Sequence, residues 1–256
     1  MTSSAEREFD GQVVVVTGGS RGIGRSIAAG FAAAGANVVI ASRKVSACQA
    51  VAAELEAVHR VSCLPLAYHA ANWADSDRLA DAVLSRYGRC DVLVNNAGMS
   101  PPHEGVGSIT EEYFDKVSAV NLKGPFRLSA RLGSVMVAAG AGSIVNVSTI
   151  GSLRPAAAEI VYACAKAGLN ALTVALAGEL APAVRVNALL PGAVDTDIAT
   201  AWTPEVRESA QRGAPLQRLG TPDDFVGPAL WLASGRSAFV TGTLIRVDGG
   251  QYRQMS

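Results

Sequence analysis

The chain has 256 residues, with 22 Lys and Arg against 22 Asp and Glu, so its formal net charge is zero. At 49% hydrophobic and 17% charged it does not have the composition of a disordered polymer, and without a basic excess nucleic acid is not an expected partner. The first ten residues are polar and charged, unlike a secretory leader, and no run reaches about 18 uninterrupted apolar residues, so no membrane span is expected. The four cysteines, Cys48, Cys63, Cys90 and Cys164, lack C-x-x-C spacing and read as free, buried thiols in a reducing cytoplasm.

Along the chain, short apolar, β-branched runs alternate with longer helical patterns. Strands are predicted at 13–17, 38–41, 61–66, 92–94, 143–148, 184–189 and 244–247. Helices are predicted between them, at 23–34, 46–57, 76–87, 111–137, 162–179 and 222–232. Several strands are apolar on successive residues, as a strand buried on both faces must be. Gly35 follows the first helix as a natural stop. Strand–helix alternation of this kind implies right-handed crossovers and a sheet covered on both sides. The expectation is a single doubly wound, Rossmann-like α/β domain over residues 1–256, with a mostly parallel sheet of about seven strands. The stretch 194–221 lacks strand character, and a loop of that length reads as a functional lid, here about 195–217 and including Trp202.

The first strand runs into Thr17-Gly18-Gly19-Ser20-Arg21-Gly22-Ile23-Gly24, and a helical pattern follows. Glycines there permit a tight turn and close approach of backbone to a pyrophosphate, and the helix N-terminus adds free N–H groups and partial positive charge. The spacing is G-x-x-x-G-x-G rather than G-x-G-x-x-G. Farther on, Tyr162 and Lys166 are four apart and share a helix face. A tyrosine with a pKa of about 10 is a poor acid or base near neutrality, and a nearby ammonium lowers that value. No His, Cys or carboxylate group has metal-ligand spacing, and no G-x-S-x-G elbow suggests a hydrolase.

The glycine loop resembles the cofactor loop of the short-chain dehydrogenase/reductase family. Further motifs fall in that family's order: Asn95-Asn96-Ala97-Gly98, Asn121 in Asn-Leu-Lys-Gly, Tyr162-Ala-Cys-Ala-Lys166, Pro191-Gly192-Ala-Val194-Asp-Thr196, and Thr241-Gly242 with Val247-Asp248-Gly249-Gly250. The resemblance covers about residues 9–250. It implies an oxidoreductase that moves hydride between a nicotinamide and a carbonyl or alcohol. By resemblance, Asn121, Tyr162 and Lys166 are catalytic, Asn121 through a held water. Gly18, Ser20, Arg21, Gly22, Ile23, Gly24, Asn95, Ala97, Gly98, Tyr162, Lys166, Pro191, Gly192, Val194 and Thr196 would hold the cofactor. The same resemblance implies a cytoplasmic homotetramer.

Two departures from the pattern bear on chemistry. Thirteen residues before Tyr162, where the family places a serine, stands Thr149, after Ser148. Thr149 is the expected hydrogen-bond donor to the substrate oxygen and Ser148 its rival, because neighbouring strand residues face opposite ways. After the third strand, Tyr68-His69-Ala70-Ala71-Asn72 lacks the usual Asp, leaving either His69 or the Ala70 backbone to meet the adenine. After the second strand, Ala41-Ser42-Arg43-Lys44 holds no acid to bind a ribose 2′-hydroxyl. Ser42 and Arg43, with Arg21, therefore point to NADP(H). His103 could line the substrate pocket or be an exposed loop residue. Residues 132–143 carry no Lys or Arg, which favours a small carbonyl compound over a carrier-protein thioester, with Arg131 and Arg154 left as candidate docking residues for a carrier. The alternatives are a 3-oxoacyl-acyl-carrier-protein reductase, which the C-terminal half resembles, and a non-catalytic NADP(H) sensor.

Overall fold

The computed structural model describes residues 7–196 and 202–252. Among these, seven strands form one sheet: β1 Val13–Thr17, β2 Asn37–Ser42, β3 Cys63–Ala67, β4 Val92–Asn95, β5 Gly142–Val147, β6 Val184–Pro191 and β7 Leu244–Val247. Their order is β3-β2-β1-β4-β5-β6-β7, and all six pairings are parallel. The chain runs outward from β1 to β3, then returns to the middle to lay β4 on the other side of β1. That reversal is the topological switch point, where a crevice opens at the C-terminal strand ends.

The continuous apolar run of β1 is explained by its position. Val14 and Val16 face one core with Ile27, Phe31 and Phe225, while Val13 and Val15 face a second with Leu128 and Leu132. The first core is covered by α1 (Gly22–Ala33), α2 (Val45–His59) and α8 (Val226–Ala233), the second by α3 (Trp73–Tyr87), α5 (Gly124–Ala139) and α6 (Ile160–Glu179). Gly35 follows α1 at φ +97°, a conformation that a side chain resists. Asn72, in the stretch that departs from the family pattern, accepts hydrogen bonds from the Ala74 and Asp75 N–H groups and caps α3.

Three expectations are corrected. The helix expected over 111–137 is interrupted: α4 (Glu111–Ser118) passes through a π-helical turn at Ala119–Lys123 before α5 begins. The expected lid contains α7 (Pro204–Gly213), and its base is tied by a parallel bridge between Val194 and Gly220; residues 197–201 of it lie outside the described residues. The cysteines are all free, but only Cys48 and Cys90 are buried, Cys63 is half-buried and Cys164 is exposed. The helical stretch Ala157–Glu179 is long and apolar enough to cross a membrane by length and composition, and half of it is buried inside the fold.

Phe31 is fully buried and meets Phe9 edge to face, with ring centroids 5.0 Å apart. Phe31→Ala should cost about 3–5 kcal/mol. A thermal melt should show Tm lowered by roughly 6–20 °C, with α1 and the glycine loop ahead of it losing order first by hydrogen exchange.

Candidate active site

A cavity of about 1530 Å³ lies along the C-terminal strand ends. A site for one small ligand holds roughly 300–1,000 Å³, so this one has room for a dinucleotide and a second molecule. Its floor is the glycine loop. Gly18 adopts φ +65°, and a Cβ there would stand 2.8 Å from Asn96 Nδ2; a Cβ on Gly24 would stand 2.4 Å from the same atom. Only glycines fit, because Asn96 itself fills the turn. Its Nδ2 donates to the Thr17 carbonyl at 2.9 Å, and the Asn96 and Ala97 N–H groups both donate to Thr17 Oγ1 at 3.0 Å. Asn96 and Thr17 therefore hold the loop's shape, a role the sequence reading missed. The first turn of α1 contains no acid, and Arg21 at its N-cap makes no side-chain cap, so the helix terminus offers the cavity partial positive charge.

Of the expected cofactor residues, Gly18, Ser20, Arg21, Gly22, Ile23, Ser42, Arg43, Ala70, Ala97, Gly98, Tyr162, Lys166, Pro191, Gly192, Val194 and Thr196 line this cavity. Two do not. Gly24 packs beneath Asn96 and the Gly18 carbonyl. Asn95 is buried, and its Nδ2 donates to Ser129 Oγ at 3.0 Å and Asn146 Oδ1 at 2.9 Å. Asn146 continues to Thr173 Oγ1 at 2.9 Å. This chain of polar groups ties β4, β5, α5 and α6 together below the floor, so Asn95 supports the site and does not face it. His69 and Ala70 both line the cavity, with the His69 N–H donating to Asp75 Oδ2 at 3.0 Å. Lys44 joins Arg43 at the end of β2, and neither is matched by an acid on that wall. His103 is neither a pocket residue nor an exposed one: it packs edge-on against Tyr113, its ring nitrogens buried.

The reacting end is built from β5, α6 and the π-helical turn. β5 stops at Val147, yet Thr149 keeps an extended backbone at φ −163°, ψ 153°, so the alternation carries through. Ser148 Oγ turns inward to the Lys166 carbonyl at 3.3 Å. Thr149 turns to Tyr162, where its hydroxyl opposes the effect of burial on the phenol, and its Oγ1 accepts from the Gly151 N–H at 3.1 Å. Lys166, one turn along α6, is buried and donates from Nζ to the Val147 carbonyl at 2.7 Å; its Nζ lies 5.9 Å from the Tyr162 ring centroid. Asn121, in the π-helical turn, is fully buried and does not line the cavity. Its Nδ2 donates to the Met99 and Val117 carbonyls, and its Oδ1 accepts from the Met99 N–H at 3.2 Å. Asn121 Oδ1 and Lys166 Nζ close on Gly98, at 3.0 and 3.6 Å from where its Cβ would be. On the opposite wall, Gln251 Oε1 accepts from the Ala193 N–H at 2.9 Å and fixes the turn after Pro191.

Burial sets the electrostatics. It pushes the Tyr162 phenol above its ordinary range, with the Glu159 carboxylate adding to the rise and the Thr149 hydroxyl opposing it. It pushes the Lys166 ammonium down to about 7. Among the described residues no group of His, Cys, Asp and Glu is placed to hold a metal.

The chain is similar to known proteins over nearly its whole length. Residues 18–251 match the family model described as enoyl-(acyl carrier protein) reductase. The chain is 35% identical to a 3-oxoacyl-acyl-carrier-protein reductase of Chlamydia muridarum, over 93% of this chain and 96% of that one. It is 34% identical to tropinone reductase-like 3 of Erythroxylum coca, over 95% and 94%. L-sorbose reductase of Gluconobacter frateurii, solved with NADPH and L-sorbose, superposes with a TM-score of 0.92 at 29% identity, over 98% of this chain and all of that one. The chain belongs to the short-chain dehydrogenase/reductase family, and it is an oxidoreductase of that family.

A buried lysine with a lowered pKa has a definite signature. The unfolded chain holds the proton up to about pH 10.4 and the folded one only to about 7, so folding costs most below pH 7 and the cost fades as pH rises through that window. Lys166→Met should therefore melt higher than the parent at pH 6, with the gap narrowing toward pH 10, while its activity is lost. A variant that melts lower at pH 6 would mean the ammonium stabilises the fold.

Proposed function

We propose that the chain is an NADP(H)-dependent reductase of small carbonyl compounds, acting also on the corresponding alcohols. The observation that carries this reading is the convergence of Thr149, Tyr162 and Lys166 on one end of a cavity whose other end holds Ser42, Arg43 and Lys44. The glycine cradle, closed by Asn96, leaves backbone where a pyrophosphate needs to come close. Arg43 and Lys44 supply charge for a 2′-phosphate. Bound there, the reduced cofactor supplies hydride to the carbonyl carbon. Thr149 donates a hydrogen bond to the carbonyl oxygen, and Tyr162 gives that oxygen its proton. Lys166 favours the phenolate that remains, and Asn121, its side chain held by Met99 and Val117, positions the Gly98 turn beside Lys166.

A second reading, reduction of 3-oxoacyl thioesters on a carrier protein, is favoured by the 35% identity to the Chlamydia enzyme. Residues 132–143 speak against it, since they offer no Lys or Arg to an acidic carrier. Efficient turnover of a carrier-bound thioester, falling steeply with salt, would replace the first reading by the second. A non-catalytic sensor has no use for Thr149, Tyr162 and Lys166 gathered in one cavity.

Cofactor choice is tested by fluorescence titration with NADPH and NADH. NADPH should bind more tightly, and Arg43→Ala should erase about tenfold of that preference, the lower end for a charge-assisted bond at an exposed site. Equal binding, or a preference untouched by Arg43→Ala, overturns the assignment.

The donor is tested by kcat. Thr149→Val keeps the shape and removes the hydroxyl, so it should lose on the order of 10²–10³, about 2.7–4 kcal/mol. Thr149→Ser should retain most activity, and Ser148→Ala should lose far less than Thr149→Val because Ser148 faces the α6 backbone. NADPH affinity serves as the control for folding. A crippled Ser148→Ala beside a normal Thr149→Val reverses the two roles.

A further inference from the structure

One carboxylate on the cavity wall takes no part in the chemistry above. Glu159 stands three residues before Tyr162, at the N-cap of α6, yet its side chain makes no cap hydrogen bond. It turns into the cavity instead. A Cβ placed on Gly151 would lie 3.3 Å from Glu159 Oε2 and 3.5 Å from Thr149 Oγ1, so the carboxylate and the expected donor flank the same glycine. The charge of Glu159 also reaches the Tyr162 phenol. A small molecule whose oxygen meets Thr149 and Tyr162 therefore has its remaining atoms beside this carboxylate.

The carboxylate is half-buried. Among the described residues no side chain pairs with it or donates to it, and burial alone pushes its pKa up. Arg154 and Lys116 line the same cavity but are solvent-exposed and form no ion pair with it. A partly desolvated carboxylate without a partner costs free energy. The group that offsets it most is a cation able to donate a hydrogen bond, because a charge-assisted bond is about twice as strong as a neutral one. Trp202 lines the same cavity and adds an aromatic face, which attracts cations.

We propose that Glu159 is the specificity-determining residue of this site and selects ketones that carry a protonated amine. The proposal rests on the carbonyl-reductase reading above. It excludes keto acids, whose carboxylate Glu159 would repel.

The test compares NADPH-dependent reduction of N-methyl-4-piperidone, its neutral isostere 4-methylcyclohexanone, 4-hydroxycyclohexanone and 4-oxocyclohexanecarboxylate at pH 6.5. The parent should prefer the amine over the isostere by about tenfold in kcat/KM and leave the keto acid nearly untouched. Glu159→Gln should bring the amine down to the isostere through KM, while any change at the Tyr162 phenol, which the Glu159 charge also reaches, moves kcat for amine and isostere alike. Glu159→Lys should turn the preference toward the keto acid. The proposal is overturned if the parent treats amine and isostere alike, or if Glu159→Gln lowers both equally. It is also overturned if the hydroxyketone, not the amine, carries the Glu159-dependent advantage. Turnover of 4-methylcyclohexanone without charge preference sinks the assignment of Glu159 alone. No turnover of any ketone, in either direction, sinks the carbonyl-reductase reading and the Glu159 proposal with it.

Discussion

A parallel sheet covered on both faces delivers every strand's C-terminal end to the same edge, and the rest of this molecule follows from that constraint. The glycine loop after β1, the Ser42–Arg43 corner after β2, the Asn96 turn after β4, Thr149 after β5 and the Pro191 turn after β6 meet along one edge because their strands run the same way. The return of the chain from β3 to β4 parts the loops after β1 and β4 and opens the crevice between them. Asn96 then spans the parting, holding the β1 loop from the β4 side. The packing of the core and the shape of the site are thus set by one choice of strand direction.

The same burial that stabilises the sheet sets the state of the reacting groups. Tyr162 and Lys166 sit on a helix pressed against β5 and β6, and burial biases each toward the form that carries less charge. Lys166 is not unsupported there, since the carbonyl at the end of β5 accepts from it. The chain thus holds the phenol and the lysine Nζ at low dielectric, where any added charge acts on both more strongly than it would in water.

Much of this was legible in the sequence, and what was not has physical causes. β1 and β7 begin and end where their apolar runs do. β6 extends two residues past its run, to Pro191, which still pairs with Val247. The thirteen-residue spacing and strand alternation put Thr149 toward Tyr162, and Thr149 does line the cavity, but alternation does not keep Ser148 off it, since Ser148 lines it too. The π-helical turn was invisible because hydrophobic periodicity averages over a window and does not register one additional residue. Asn95 lies at the strand end where a ligand contact is expected, but Ser129 and Asn146 are distant in sequence, so nothing local showed that its amide was already engaged. Asn96, its neighbour, has the outward role. Glu159 and Gln251 belong to no motif; the available signal for Glu159 was its spacing of about one helical turn from Tyr162.

The π-helical turn at Ala119–Lys123 behaves as a spacer of one residue within a continuous helix running from α4 to α5. Each helical residue turns the chain by about 100°. Removing one residue from this turn would let the helix run on as a regular α-helix, with better local hydrogen bonding, yet it would rotate either Asn121 away from Gly98 or Leu128, Leu132 and Met136 out of the core. The helix is therefore intolerant of changes in length there while remaining open to changes in residue type on its exposed face. Among related sequences, gaps in alignment should avoid 119–123 even where identity is lost around it.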